Sequence, residues 1–260
     1  FNFMTLINYS YIQSLFIYIL IGVLPCLVWL LFYLRQDSHP ESNKKIIQVF
    51  LLGALLTIPA IAIENGFEEI FTNIFGFDIS NISSGNPFLI FLAISLGVGL
   101  IEEFLKYFTV KISAISSSEF DEPMDIILYM IIASLGFAAV ENFLAILPAS
   151  PEFLNSYYIQ ALEVSAWRLI TAIFFHTLSS GIIGVFWAFS IFYQKKRWLI
   201  LGILTMSFYH GLYNFILLSL NNKNSLLTFI FIFIILILAL FLFYNSKKVK
   251  KMPRACKIKD

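Results

Sequence analysis

The sequence predicts an all-α fold: a polytopic membrane helix bundle of about seven transmembrane helices, with its N-terminus outside and its C-terminus in the cytoplasm. Three observations predict it. Of 260 residues, 59% are hydrophobic and 13% are charged, whereas soluble domains have about 45–50% apolar and about 25% charged residues. Seven apolar runs are long enough to cross a bilayer, and the basic residues fall almost entirely in alternate loops. The lipid bilayer is therefore the medium of this chain, and nothing in it points to a nucleic-acid partner.

A bilayer core needs about 20 apolar residues of helix. The qualifying runs are 12–34, 46–63, 88–110, 124–147, 167–193, 198–219 and 225–244. Segment 64–79 (ENGFEEIFTNIFGFDI) is too polar to span and reads as an amphipathic helix at the surface. The first run is too long for a signal peptide and lacks a basic leader. Cys26 and Cys256 lie in an apolar run and a basic tail, so no disulfide framework or paired thiol site is expected. The chain reads as one membrane domain, 1–260, with a chemically distinctive helical core at about 88–219 and a basic tail at 245–260.

Loop charge sets the orientation. Segments 35–45, 111–123, 194–197 and the tail carry fourteen Lys and Arg residues, while 64–87, 148–166 and 220–224 carry only Lys223. Cytoplasmic loops collect such an excess, and an odd number of helices then leaves the N-terminus outside.

The first, second and seventh runs contain no ionisable side chain apart from Tyr and Cys, whereas the four between hold Glu102, Glu103, Lys106, Glu141, Arg168, His176 and His210. Three charges on one helix cost roughly 7–10 kcal/mol at the bilayer centre, which removes most of the apolar gain of the third run. Such a helix is stable only when those groups face protein or water. Spacing gives them a common interior: Glu102 and Lys106, Phe137 and Glu141, and His210 and Asn214 are each four apart on a helix face. Asn142 adjoins Glu141, and Arg168 and His176 lie eight apart on similar sides.

Two chemistries suit this set. A carboxylate in a pocket of low dielectric can take a proton from water and return it to a leaving group, while a His–Asn pair donates to a developing oxyanion. Alternatively His176, His210 and Glu141, from three helices, hold Zn²⁺ with a position left open for water. Both fit peptide-bond hydrolysis, and the residues alone do not choose between them. A proton- or ion-coupled transporter would use similar groups, but transporters often show inverted repeats and paired broken helices, and neither is visible here.

The ordered set Glu102-Glu103-x-x-Lys106, Phe137-x-x-x-Glu141-Asn142, His176 and His210-x-x-x-Asn214 resembles the PrsW family of intramembrane proteases and, distantly, the CAAX prenyl proteases. The resemblance covers roughly 88–215. It implies a bacterial plasma-membrane protease that clips membrane-anchored proteins such as anti-sigma factors. It further implies Glu102, Glu103, His176 and His210 as the catalytic groups, with Lys106, Glu141, Asn142 and Asn214 in support. One position departs: the family often has Asp where this chain has Asn214. That weakens a metal-ligand role there, leaves an oxyanion role intact, and keeps a non-catalytic, protease-derived receptor as an alternative.

The remaining polar residues have plainer expectations. Arg168 snorkels or pairs with a carboxylate. Asp125 starts a helix at the cytoplasmic surface. Glu64, Glu68 and Glu69 form a solvated face outside the membrane. Depth supplies the sharpest expectation. With a third helix starting at 88, Glu102 would lie about 21 Å from the outer end, against about 9 Å for Glu141. One site requires one depth, so the third helix should begin near Ile94, placing the site in the outer half of the membrane.

Overall fold

In a computed structural model of the chain, the described residues are 9–37, 39–115, 117, 120–148, 156–219 and 225–252. Among them every regular element is helical: α1 (Tyr9–Leu34), α2 (Asn43–Phe75), α3 (Pro87–Ile94), a π-turn (Ser95–Gly99), α4 (Leu100–Ser113), α5 (Pro123–Ile146), α6 (Tyr158–Ile170), α7 (Ala172–Phe192), α8 (Arg197–Ser219) and α9 (Ser225–Val249). The third span joins α3, the π-turn and α4, and the fifth joins α6 and α7, which makes seven helices long and apolar enough to cross a membrane among the described residues. The chain is a multi-pass membrane protein. Lys223, Arg254, Cys256, Lys257 and Lys259 lie outside the described residues.

Helices α5 and α7 form the interior and are buried along most of their length. Helices α1, α2 and α9 turn large apolar side chains outward, including Phe16, Leu51, Ile58, Phe233 and Leu240. Small residues set how closely the inner helices pack, as is usual between membrane helices. A Cβ at Gly136 would collide with the carbonyl of Phe50, and one at Gly53 with that of Ala133, so glycine on both helices lets α2 lie against α5. Gly99 and Gly211 bring the π-turn against α8 in the same way.

The segments rich in Lys and Arg meet at one end of the bundle, hereafter the basic end. Lys45 Nζ donates to the Ser113 carbonyl at 3.0 Å, and His39 lies 3.2 Å from Glu122. Asp125 starts α5 as expected, accepting from the backbone N–H groups of Asp121 and Glu122. Cys26 is a buried free thiol.

Three expected boundaries are corrected. Segment 64–79 is no separate surface helix: α2 continues unbroken to Phe75 and ends on Gly76 in the left-handed conformation, φ 76°. At 33 residues α2 is about 50 Å long, so its last turns extend past a hydrocarbon core of about 30 Å, where polar residues are at ease. The third span begins at Pro87, capped by the Asn86 side chain, and not near Ile94. The fifth span begins at Tyr158, nine residues earlier than its apolar run, and breaks at Thr171. These edges remove the depth conflict: α5 stops at Ile146, while α2, α3 and α6 run on beyond it.

Candidate active site

The site lies where α4, α5, α7 and α8 meet. The π-turn ends three residues before Glu102, and such turns, which add a residue to a helical turn, are frequent at functional sites. Beyond it, Glu102, Glu103 and Lys106 all point inward and are buried. His176 follows the Thr171 break by about one turn of α7. His210 sits on α8 beside Gly211, which allows the close approach to Ser95.

Each histidine is tied by one nitrogen to a carboxylate. His210 Nδ1 donates to Glu103 Oε1 at 2.8 Å. His176 Nε2 lies 2.9 Å from Glu141 Oε2, and its Nδ1 accepts from Lys106 Nζ at 2.8 Å, so the ring proton sits on Nε2. The opposite nitrogens face a common centre shared with Glu102 Oε2, at 3.9 Å from His176 Nδ1 and 3.6 Å from His210 Nε2. The three ligand atoms lie within 4.8 Å of one another, all on buried residues. Lys106 Nζ also bonds Glu102 Oε2 at 2.9 Å and Glu103 Oε1 at 3.0 Å, and it stands 4.8 Å over the Phe137 ring. Ser179 Oγ adds a bond to Glu103 Oε1 at 3.1 Å.

The donor set suits a divalent ion. Ligands of a tetrahedral zinc lie about 2.0–2.2 Å from it and hence about 3.4 Å apart. The observed spacing needs only slight closure, together with release of His176 Nδ1 by Lys106. A metal-binding histidine whose second nitrogen is held by a carboxylate is the usual pattern, and both histidines show it. Charge agrees. With Glu102, Glu103 and Glu141 ionised, the region holds one negative charge more than Lys106 and Arg168 balance, and buried charge requires compensation. Glu103 Oε2 and Ser180 Oγ are buried without a hydrogen-bond partner.

The ligand atoms that come within 4.8 Å of one another belong to Glu102, His176 and His210, not to the expected trio of His176, His210 and Glu141: Glu141 reaches the other nitrogen of His176 and lies 3.8 Å from the Arg168 guanidinium. Asn142 also stands apart: it bonds the Gly22 carbonyl and Ser165 Oγ and accepts from Arg168 Nε at 2.9 Å. Arg168 thus pairs with a carboxylate, as expected. Asn214, one turn beyond His210, is half-buried and takes no part in the bonds that tie the group together among the described residues.

The reading of Glu64 is overturned. It lies within α2, on the stripe formed by the buried Val49, Gly53, Thr57 and Ala60, and it interacts electrostatically with Glu102, Glu141 and Lys106. The apolar run ends at Ile63, which hid it; the recurrence of inward positions every three or four residues would have revealed it.

Residues 41–242 match the PrsW family intramembrane metalloprotease. The chain is 31% identical to Protease PrsW of Bacillus subtilis over 74% of this chain and 78% of that one. It is 29% identical to Protease PrsW of Oceanobacillus iheyensis, over 80% and 86%, and 30% identical to that of Geobacillus kaustophilus, over 72% and 73%. No solved structure matches. With the glutamates and histidines of its membrane spans gathered into one buried group, this chain belongs to the PrsW family of intramembrane metalloproteases and is a peptide hydrolase.

Proposed function

We propose that this chain is a zinc-dependent endopeptidase of the bacterial plasma membrane that cuts membrane-anchored proteins such as anti-sigma factors. One observation carries the proposal: Glu102, His176 and His210 bring ligand atoms within 4.8 Å of one another, with Glu102 Oε2 3.9 Å from His176 Nδ1 and 3.6 Å from His210 Nε2, while Glu141 and Glu103 hold the opposite histidine nitrogens. The excess of Lys and Arg in alternate loops supports an external N-terminus and cytoplasmic basic loops. The bacterial relatives support the plasma membrane as its location.

In this reading Glu102, His176 and His210 are the ligands. A divalent ion held by them supplies Lewis acidity toward a carbonyl and acidifies water. Glu103 Oε1 keeps the His210 proton on Nδ1, and its buried, unpartnered Oε2 is the oxygen assigned to take the proton of the attacking water. Lys106 fixes both adjacent carboxylates and screens their mutual repulsion. Glu141 keeps the His176 proton on Nε2, and Arg168 steadies Glu141.

The test is metal analysis of the purified protein beside Glu102→Ala and His210→Ala, with cleavage of a transmembrane reporter measured on the same samples. About one zinc per wild-type chain is expected, lost together with cleavage in both variants. Metal-free protein that cleaves at the wild-type rate would overturn the ligand assignment and select glutamate-driven hydrolysis.

A further inference from the structure

We infer that Glu64 is a substrate-binding residue of this protease: its Oε1 accepts a hydrogen bond from a main-chain N–H of the bound polypeptide beside the scissile bond. The inference rests on the site proposed above, and it starts from an expensive placement. A carboxylate on the inward stripe of a membrane helix is costly and marks a functional group unless something pairs it. Glu64 Oε1 is buried and has no hydrogen-bond partner. The nearby cations are engaged elsewhere: Lys106 Nζ bonds Glu102, Glu103 and His176, and Arg168 bonds Asn142 and lies against Glu141.

Helix register places Glu64 at the side of the site facing away from the basic end. Thr57 Oγ1 lies 3.4 Å from the Phe137 carbonyl, which levels α2 with α5. Counting 1.5 Å per residue from that level, Glu64 lies about 4 Å beyond Glu141. Gly97 packs on the Phe67 ring, which levels α2 with the third span. From there Glu64 lies about 3 Å beyond Glu102. Two independent levels thus put Glu64 just past the ligand group, and its interaction with Glu102, Glu141 and Lys106 agrees with that position.

A polypeptide in an active site presents one N–H donor per residue, and within a membrane such a donor requires an acceptor from protein. Glu64 offers the acceptor that has no donor. Its bond to the substrate satisfies both groups at once and fixes the polypeptide relative to Glu102 and the histidines.

The test uses full-length protein in proteoliposomes and a synthetic fluorogenic bilayer-spanning peptide that the wild type cleaves. Depsipeptide versions replace one amide by an ester at each position within three residues of the cut, removing one N–H at a time. Glu64→Leu should lower kcat/KM on the all-amide peptide about 10- to 100-fold, the range for leaving a buried hydrogen-bonding group without its partner. It should have no further effect on one ester peptide, which is already poor for the wild type. Glu64→Gln, which keeps an acceptor oxygen, should recover most of the loss. Activity of Glu64→Leu within threefold of wild type overturns the inference, as does an equal loss on every ester peptide, the mark of a merely structural role. Either result leaves the metal site standing if His210→Ala still abolishes cleavage. If His210→Ala retains cleavage, the site assignment fails, and this inference with it.

Discussion

Two polar clusters adjoin inside this membrane bundle, and they are built on opposite plans. Around Asn142, every polar atom is matched: its amide bonds the Gly22 carbonyl and Ser165 Oγ, its oxygen accepts from Arg168, and Ser165 Oγ in turn donates to the Ile21 carbonyl. This brace ties α5 to α1 and α6. Around Glu102, His176 and His210, carboxylates outnumber cations, and Glu103 Oε2, Ser180 Oγ and Glu64 Oε1 lack partners. A satisfied network holds helices together; an unsatisfied one is kept for what it binds. Glu141 is the hinge between them, touching Arg168 on one side and His176 on the other.

If that contrast is right, mutations in the two clusters should fail in different ways. His210→Ala should lower cleavage about 1000-fold or more and release the metal, with little change in unfolding, because it removes a ligand and no brace. Retained zinc in this variant would break the contrast. Replacing the whole ion group, Glu102→Leu and Glu103→Leu with Lys106→Met, should leave stability unchanged or raise it by about 1–4 kcal/mol while abolishing cleavage, since buried ion pairs seldom stabilise more than apolar packing. A steric-trap or urea unfolding measurement reads this, and a loss of stability would make the group structural. Glu141→Gln should weaken zinc affinity about 10- to 100-fold through loss of the bond that orients His176, measured by chelator competition. Asn142→Ala should lower stability by about 1–3 kcal/mol by stranding the Arg168 and Ser165 partners, with zinc content unchanged. Asn214→Ala should have the smallest effect, within about threefold in kcat/KM, since Asn214 joins neither cluster.

Much of this was legible in the residues. Glu102, Glu103, Lys106, His176 and His210 are conspicuous because each is expensive in an apolar run, and their i,i+4 spacing puts them on inward faces. What stayed hidden has physical causes. Hydropathy ends a helix where polarity rises, at Ile63 in α2, and so marks Glu64 as solvated, although an inward-facing carboxyl group can follow an apolar run directly. Spacing shows which residues share a face, but not which nitrogen of a histidine meets which carboxylate. The residues alone therefore name Glu141 as the third ligand, whereas the geometry puts Glu102 and Glu141 on opposite sides of the His176 ring. The depth conflict likewise came from assuming equal helix ends, whereas α5 stops short of its neighbours.

The central claim is that Glu102, His176 and His210 together hold the metal on which cleavage depends. X-ray absorption spectroscopy of the zinc-bound wild-type protein tests it most directly. The account predicts nitrogen and oxygen ligands at about 2.0–2.1 Å with scattering from two imidazoles, and no bound zinc in His176→Ala. A zinc environment without imidazole, or full cleavage by protein shown to contain no metal, would contradict it.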